Sequence, residues 1–324
     1  MRLVIMTRYH IYFHDDFDGM VSAVIFFDFF RKRGDKVGSF NPINYTPSIK
    51  KDWANFKFKK PFVLVDFMYH PNADWWFDHH ETSFINPDWK KNYKDDDRHA
   101  FDQIYKSGCA LVLAHLNKKY KYEAPKNIQE LVYWGDIIDS AGYKNARQIV
   151  ERKEPALRLM SYLDSLDKVD QKIYQAKQSA IIKNLATKSI NNFIAYSLVS
   201  NRIKKYLSKT KKSVADFKKS AVIKGGVIFI DAINKEFPKP HFLAYYVYPK
   251  SFYSVSINKY GAYYHMSVGG NPWNKTHGTE INIGKKMRSY GGGGHKAIGG
   301  LEKKSKLEIM KIAEEIIEYL NIHG

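Results

Sequence analysis

The sequence predicts an α/β protein of two domains, a parallel-sheet domain followed by a smaller mixed α/β domain. Over residues 1–140, short apolar runs typical of buried strands alternate with helical segments, which favours a parallel sheet. After residue 221, short segments rich in Tyr, Val and Ile are separated by turn residues, which indicates a second, strand-rich domain. The length of 324 residues is enough for both. We expect domains at 1–212 and 213–324, with a helical connector between them.

The first domain is predicted to begin with a strand at 9–14 and a helix at 20–34, which Gly34 ends after a basic last turn. Further strands are expected at 61–67 and 73–80, and helices at 107–120 and 127–140. The pattern then stays helical from about 155 to 212. We expect a linker at 208–220.

The second domain is predicted to be built from short strands, a glycine-rich turn and two helices. The strands are expected at 221–233, 241–248, 252–258 and 262–270, and the helices at 278–291 and 306–320. The glycine-rich segment "GGGGHKAIGG" lies between the two helices, at 291–300.

Charge and composition limit the classes of partner. The net charge is +19, which suits an anionic partner such as nucleic acid, although lysines that only solvate the surface would give the same total. The single cysteine, Cys109, cannot form an intramolecular disulfide, so we expect a reducing, cytoplasmic setting. The apolar runs are too short to cross a bilayer and the N-terminus is a poor signal peptide, so we expect no membrane partner.

Acidic and histidine residues follow the predicted strands at the points where these strands end. They are His14, Asp16 and Asp18 after the first strand, Asp66 after the second, Asp78, His79 and His80 after the third, and Asp139 at the end of helix 127–140. Ligands of open α/β sheets bind beyond the carboxyl ends of the strands, so we expect these side chains to meet.

A cluster of like charges is stable only if protons or cations neutralise it. Mixed carboxylate and imidazole ligands suit Mn, Mg, Fe or Zn, and two cations sharing a carboxylate are usual in phosphate-ester hydrolysis. Each motif alone has a plainer interpretation. Asp18 could cap the next helix, the two histidines could lie in a solvated loop, and Asp66 could accept backbone hydrogen bonds. Because these motifs occur together at successive strand ends, the sequence favours a metal site over the plainer interpretations.

Five segments of the sequence resemble motifs of the DHH/DHHA1 phosphoesterase family, which includes nanoRNase- and RecJ-like enzymes. The segments are "HDDFDGMVSA" from His14, "VLVDF" around Asp66, "FDHHET" around the Asp-His-His triplet, "YWGDIIDSAG" around Asp139, and "GGGGHKAIGG" at 291–300. The resemblance implies a catalytic domain with two divalent cations, most simply Mn with Mg as the alternative. The associated C-terminal domain would bind the substrate.

The resemblance also implies a role for each matching residue. His14 and Asp16 would bind the first cation; Asp18, His79 and Asp139 would bind the second; and Asp66 would bridge them. Asp78 would orient a ligand imidazole, and His80 would face the substrate phosphate. In the second domain, Gly291, Gly292, Gly293, Gly294 and His295 would form an anion-binding segment, with Arg288 as a further phosphate contact.

The sequence departs from the family near Ser267, where many relatives have an Arg two residues later and this chain has Gly269. Trp273 nearby suits either a core position or a stacking contact with a base. This departure leaves the exact substrate open, but it does not affect the expected reaction.

We therefore predict a metal-dependent phosphodiesterase or exonuclease acting on short RNA or DNA oligonucleotides or dinucleotides. The alternatives are a polyphosphatase, an adenosine bisphosphate phosphatase, and a non-catalytic nucleic-acid-binding protein. The sequence leaves open RNA against DNA, linear against cyclic substrates, and whether the chain forms a homodimer.

Overall fold

The computed structural model describes residues 6–233, 242–274 and 281–324. The chain divides into two compact units, Met1–Tyr143 with Glu154–Ile203, and Lys144–Lys153 with Lys204–Gly324. The last of the three divisions along the chain, between Ile203 and Lys204, falls within one long helix, Ser197–Ser220, as does the predicted limit between residues 212 and 213. Within the described ranges, no helix is both long enough and apolar enough to cross a membrane.

A five-stranded, all-parallel sheet forms the centre of the first unit, as predicted. Its strand order is β2-β1-β3-β4-β5. The strands are β1 Arg8–His14, β2 Lys36–Ile43, β3 Phe62–Val65, β4 Trp75–Asp78 and β5 His99–Phe101. All four residues of β3 are buried, as expected for a strand covered on both faces.

Ten helices lie between residues 17 and 220, of which the one at 146–151 and the part after residue 203 of the last one belong to the second unit. They are α1 Phe17–Arg33, α2 Pro47–Asp52, α3 Pro87–Asn92, α4 Gly108–Tyr120, α5 Lys126–Asp139, α6 Ala146–Glu151, α7 Pro155–Asp164, α8 Gln171–Leu185, α9 Ile190–Ile194 and α10 Ser197–Ser220, with a short 3₁₀ turn at Trp53–Asn55. The N-cap of α1 is Asp16, whose Oδ1 accepts the Gly19 N–H, so the alternative that Asp18 caps this helix is wrong. Gly34 ends α1 at φ 83°, as predicted.

The described part of the second unit contains a six-stranded mixed sheet of order β10-β11-β9-β8-β7-β6, in which only β7 and β8 pair in parallel. Its strands are β6 Ala221–Lys224, β7 Val227–Asp231, β8 Tyr253–Tyr260, β9 Tyr263–Gly270, β10 Gly293–Gly294 and β11 Ile298–Lys303, and its further helices are α11 Leu243–Val247, α12 Ile283–Arg288 and α13 Lys306–His323. The apolar face of the sheet packs against α13, which buries Ile309, Ile316 and Leu320.

Two predicted elements are wrong. Segment 241–248 was expected as a strand, but its described part forms α11, because the buried Tyr245 hydroxyl donates to the Gly269 carbonyl and fixes this turn. The linker expected at 208–220 is the last part of α10, whose buried face includes Phe217. Within the helix expected at 278–291, the described residues are helical at 283–288, and residues 275–280 lie outside the described ranges.

Candidate metal centre

The register of the parallel sheet brings three strand ends to the same level. Phe13 of β1 pairs with Val65 of β3, and Val65 pairs with Phe77 of β4. The next residue of each strand is therefore His14, Asp66 or Asp78, side by side at the carboxyl edge. The start of α1 and the end of α5 bring further acidic side chains to this edge.

Asp66 lies at the centre of this cluster. Its side chain is fully buried, and its backbone has φ 56°, a left-handed conformation uncommon for any residue except glycine. Its Oδ2 lies 3.6 Å from His14 Nδ1, and its Oδ1 lies 3.7 Å from His79 Nε2 and 3.5 Å from His80 Nδ1. Backbone strain of this kind collects at functional sites, because packing elsewhere must hold it.

The ligand-type atoms fall into overlapping groups whose atoms lie within 4.8 Å of one another: His14, Asp16 and Asp66; Asp18, His79 and Asp139; and Asp66, His79 and His80. The first two groups contain the residues predicted for the first and the second cation. In the second group, His79 Nε2 lies 3.3 Å from Asp139 Oδ2 and 3.7 Å from Asp18 Oδ2. The structure thus brings together every predicted metal ligand, while the role of each ligand stays a prediction.

Several buried atoms of this cluster have no hydrogen-bond partner among the described residues. They are His14 Nδ1, both carboxylate oxygens of Asp66, and His79 Nε2. His14 Nδ1 also lies 2.8 Å from Asp16 Oδ2, which is an ion pair when the imidazole is protonated. Leaving such an atom unsatisfied costs about 1–3 kcal/mol, so the cluster is costly to fold unless something else binds these atoms. Carboxylate oxygens and imidazole nitrogens left without partners fit divalent cations.

Burial and mutual repulsion shift the titration of these carboxylates. Burial, and next the charges of Asp18 and Asp16, raise the pKa of Asp66 well above its usual range. The same causes raise the pKa of Asp139 to about 7. The cluster therefore holds protons that a cation would displace when it binds.

Asp18 is held by the N-terminus of α4. The Gly108 N–H donates to its Oδ2 at 2.6 Å, and the Cys109 N–H donates to its Oδ1 at 2.8 Å. Ser107 caps α4 and also donates to Asp136 Oδ1 at 2.6 Å, which ties α4 to α5. These contacts fix the orientation of the Asp18 carboxylate towards the cluster.

Asp78 orients His80 rather than the predicted ligand His79. Its Oδ1 lies 2.8 Å from His80 Nδ1, and its Oδ2 accepts the Ser83 hydroxyl. The ring of His79 is instead held by the Tyr105 carbonyl, 3.1 Å from its Nδ1, which leaves its Nε2 facing the cluster. Burial lowers the pKa of His80, but the hydrogen bond and charge of Asp78 outweigh this effect and raise the pKa to about 9. The hydrogen bond to Asp78 thus favours the protonated form of His80 in the metal-free site, and one third of its side chain is exposed.

Two residues at this edge were missed by the sequence analysis. Asp15, between two predicted ligands, accepts hydrogen bonds from Lys168 at 2.6 Å and from Tyr174 and Gln178 of α8, which fixes the first motif to that helix. Tyr45 follows β2, and its ring stacks on Phe67 with 4.2 Å between ring centroids. Tyr45 could be identified as a residue of this edge only once β2 was known, because it follows that strand and the strand ends at the same edge of the sheet.

The glycine cluster of the second unit is largely occupied by its own backbone contacts. The N–H of Gly291 donates to the Arg288 carbonyl, the N–H of Gly292 to the Met287 carbonyl, and the N–H of His295 to the Ile298 carbonyl. These three groups are not available to a bound anion. Gly293 and Gly294 form β10, which pairs with β11, so a substrate contact in this segment is left mainly to the exposed His295 side chain, and it stays a prediction.

Arg288 lies beside this cluster, and its Nη1 is 3.5 Å from the carbonyl oxygen of Gly294. Its side chain is exposed and therefore accessible to an anion. Trp273 is half-buried and makes an edge contact with Phe242 at 5.0 Å between ring centroids, which favours a packing position.

Comparison of the sequence with family models finds no match, and comparison with curated proteins finds none either. Comparison of the structure finds similar folds. A pGpG-specific phosphodiesterase, PggH from Vibrio cholerae, matches 98% of this chain and 100% of its own length, with a TM-score of 0.74 and 19% identity. An exopolyphosphatase-related protein from Bacteroides fragilis matches 97% of this chain and 92% of its own length, with a TM-score of 0.54 and 12% identity.

RecJ from Thermus thermophilus in complex with Mn²⁺ matches 97% of this chain with a TM-score of 0.56 and 12% identity, and this chain spans 52% of RecJ. A DHH domain from a protein described as a member of a family of ribosomal proteins matches 96% of this chain and 86% of its own length, with a TM-score of 0.56 and 14% identity. These likenesses confirm the fold predicted from the five motifs: the chain has the fold of the DHH/DHHA1 phosphoesterases.

Proposed function

We propose that this chain is a metal-dependent phosphodiesterase of the DHH/DHHA1 family that hydrolyses short oligonucleotides, with dinucleotides as the preferred length. The observation that carries the proposal is the buried cluster around Asp66, whose oxygens and neighbouring imidazole nitrogens lack partners among the described residues. A cluster of this composition is suited to holding cations that meet a phosphate. The likeness to a phosphodiesterase over the whole length of both chains supports the same reaction.

The cations are proposed to be two Mn ions, held by His14, Asp16, Asp18, His79 and Asp139, with Asp66 between them. Bound there, they would lower the pKa of a water molecule and neutralise charge on the phosphate. Mn suits mixed carboxylate and imidazole ligands, and Mg is the alternative. RecJ with bound Mn²⁺ shares the fold of this chain.

The residues of the chain have separate tasks in this reaction. Asp66, held in a left-handed backbone conformation, points both carboxylate oxygens into the cluster. His80, kept protonated by Asp78, supplies a positive charge for the non-bridging oxygens of the phosphate. Its proton is also available to the departing oxygen.

One observation favours a short substrate. The phosphodiesterase that matches this chain end to end is named for the dinucleotide pGpG. The proposed setting is cytoplasmic, and a homodimer stays open.

A polyphosphatase is the second candidate, because an exopolyphosphatase-related protein has the same fold over most of both chains. A non-catalytic binding protein is disfavoured, since it would have no use for buried ligand atoms that lack partners among the described residues.

A substrate panel tests the proposal. Purified protein is loaded with Mn and incubated with pGpG, RNA and DNA of 2 to 24 nucleotides, cyclic dinucleotides, adenosine bisphosphate and inorganic polyphosphate. We expect the fastest turnover for dinucleotides and none in excess chelator. A preference for polyphosphate would replace the proposal with the second candidate, and turnover that persists in the metal-free protein would contradict the metal centre.

A further inference from the structure

Tyr45 lies at the carboxyl edge of the sheet, beside the candidate metal centre. It follows β2, the strand that neighbours β1, whose last residue is the predicted ligand His14. Its ring is fixed from two sides: Phe67 stacks on it with 4.2 Å between ring centroids, and His14 makes an edge contact at 5.0 Å. The ring is therefore held in one orientation next to two residues of the site.

The hydroxyl of Tyr45 is buried and has no hydrogen-bond partner among the described residues. Other tyrosines with buried rings do have partners: the Tyr122 hydroxyl donates to Asp28, the Tyr174 hydroxyl to Asp15, and the Tyr245 hydroxyl to the Gly269 carbonyl. A buried donor without an acceptor is uncommon in a native fold and calls for an explanation such as a missing ligand.

The Tyr45 ring also lies 6.4 Å from the His80 ring, measured between ring centroids. The carboxylates of Asp66 and Asp16 lie beside His14, and both belong to groups that could hold a cation. A phosphate held there would bring additional anionic oxygens, which need donors as well as cations. His80 and Tyr45 are two side chains at this edge that can donate a hydrogen bond to such an oxygen, and the Tyr45 phenol does so without carrying a charge.

We propose that Tyr45 is a further catalytic residue, whose hydroxyl donates a hydrogen bond to a non-bridging oxygen of the scissile phosphate. This inference rests on the proposed function. During hydrolysis the oxygen of water bonds to phosphorus while the ester P–O bond breaks. The attacking water gives up a proton to solvent, the departing ester oxygen takes one up, for which His80 is a donor, and negative charge is shared by the non-bridging oxygens. A fixed donor aimed at one of these oxygens stabilises the transition state more than the bound substrate, and the phenol keeps its proton throughout.

The test compares Tyr45→Phe with a matched control, Tyr122→Phe. Both changes remove one buried hydroxyl and keep the ring. Tyr122 belongs to the same unit but contacts Asp28, outside the metal centre. Four quantities are measured: kcat and KM on pGpG, the dissociation constant of inorganic phosphate for the Mn-loaded protein by calorimetry, the bound Mn per chain, and the thermal midpoint of the metal-free protein.

For Tyr45→Phe we expect kcat/KM to fall about 100-fold, the scale seen when one donor to a developing oxyanion is removed. Phosphate should bind about 10-fold more weakly, as for the loss of a hydrogen bond to a charged group. Bound Mn should not change, and the thermal midpoint should stay or rise, because the lost hydroxyl had no partner among the described residues. Tyr122→Phe should keep wild-type turnover and phosphate affinity.

Wild-type kcat/KM and phosphate affinity in Tyr45→Phe would overturn the inference. A fall in kcat with unchanged phosphate affinity would still support it, because a donor that acts mainly in the transition state changes kcat more than ground-state binding. A thermal midpoint lowered in parallel with activity would show a structural role. If wild-type protein turned over no phosphodiester, the proposed function would fail, but the difference in phosphate affinity between the two variants would still decide the role of Tyr45.

Discussion

At the level of single residues, Asp66 lies in an environment that destabilises the metal-free fold. A carboxylate that is fully buried, has no hydrogen-bond partner among the described residues and lies in a left-handed conformation is unfavourable in the metal-free fold. Asp28 in α1 is equally buried, but it is paired with Arg31, Lys32 and Tyr122. Because Asp66 lacks such partners within the described part of the chain and Asp28 has them, we interpret Asp66 as a residue of the site and Asp28 as a structural residue.

We predict that Asp66→Asn stabilises the metal-free protein while it removes activity. Neutralising the side chain relieves the repulsion from Asp18 and Asp16, so the thermal midpoint in excess chelator should rise. Turnover should fall by at least about 100-fold, because the loss of a metal ligand costs more than the loss of the groups that support it. Added Mn should no longer raise the midpoint.

The control is Asp28→Asn, which should lower the midpoint and keep both turnover and the response to Mn. An Asp66→Asn protein that is less stable than wild type in chelator, or that keeps wild-type turnover, would show that Asp66 has a structural rather than a bridging role.

The stability of the metal-free protein should fall as the pH rises. The folded-state pKa of Asp139 is raised to about 7, above its unfolded value near 3.8, so the folded state binds more protons between these values. Its contribution is favourable at low pH and is lost as the pH rises towards 7. His80, raised to about 9, acts in the same direction, since its stabilisation is complete below about 6.5 and is lost as the pH rises through 9.

The measurement is the thermal midpoint in chelator from about pH 5 to pH 8, over which we expect a decrease of roughly 5 °C. Asp139→Asn should flatten this dependence. Mn should raise the midpoint more at pH 8 than at pH 6, because cations and protons compete for the same carboxylates. A midpoint that rises with pH in chelator would contradict the raised pKa of Asp139.

At the level of elements, the sequence predicted those parts whose pattern is local. β1, β3 and β4 were placed because their apolar runs end on acidic residues, and all the predicted metal ligands follow from those three strands and two helices. β2 was missed because it contains Gly38 and Pro42, which an edge strand tolerates. Tyr45 follows β2, so the sequence analysis missed this residue together with the strand.

Segment 241–248 was predicted as a strand that the described residues do not form. Its Tyr- and Val-rich composition suits a strand, but the described part is helical, since the Tyr245 hydroxyl bonds to Ser254 and Gly269 of neighbouring strands. Tertiary contacts decided this element, and no local pattern carries them.

The glycine cluster allows structural and functional roles to be separated by two neighbouring substitutions. A Cβ at Gly292 would lie 2.3 Å from the Gly300 carbonyl oxygen, whereas a Cβ at Gly293 would meet nothing within 4 Å. We predict that Gly292→Ala destabilises the protein by about 1–3 kcal/mol, as overpacking does. Gly293→Ala should change stability by less than about 0.5 kcal/mol.

Denaturant unfolding measures both changes, and KM on pGpG then tests the role in binding. A raised KM for Gly293→Ala, with unchanged stability and bound Mn, would support a substrate contact at this segment. If Gly293→Ala and His295→Ala both kept the wild-type KM, the glycines would serve packing alone.

At the level of the whole molecule, the excess of 52 basic over 33 acidic residues gives the net charge of +19. Part of this charge is concentrated on α10, whose last part, residues 208–220, was expected to be a linker. Its buried face contains Ile203, Thr210 and Phe217. Its exposed lysines are Lys204, Lys205, Lys209, Lys211, Lys212, Lys218 and Lys219. A helix with one buried face and a row of exposed lysines is suited to contact with a polyanion.

The last prediction concerns substrate length and salt. A substrate of 2 to 5 nucleotides would be held at the proposed metal centre, where buried charges are little screened, so its cleavage should survive raised salt. A 24-mer would extend beyond that centre, and any contacts of its further phosphates with exposed lysines would weaken steeply as salt displaces them. Measured as kcat/KM from about 50 to 300 mM salt, cleavage of the 24-mer should fade while cleavage of the dinucleotide persists.

The lysines of α10 offer a matched test of this difference. Replacing Lys211, Lys212 and Lys218 by Ala should reduce the slope of log(kcat/KM) against log(salt) for the 24-mer by about 2, since each phosphate contact of a single strand contributes about 0.7. The same triple variant should leave the dinucleotide unaffected, because that substrate does not reach beyond the metal centre. Parallel salt curves for the two lengths would mean that the lysines only solvate the surface. A 24-mer preferred at every salt concentration would instead indicate an exonuclease that acts on long chains, and the preference for short oligonucleotides would be wrong.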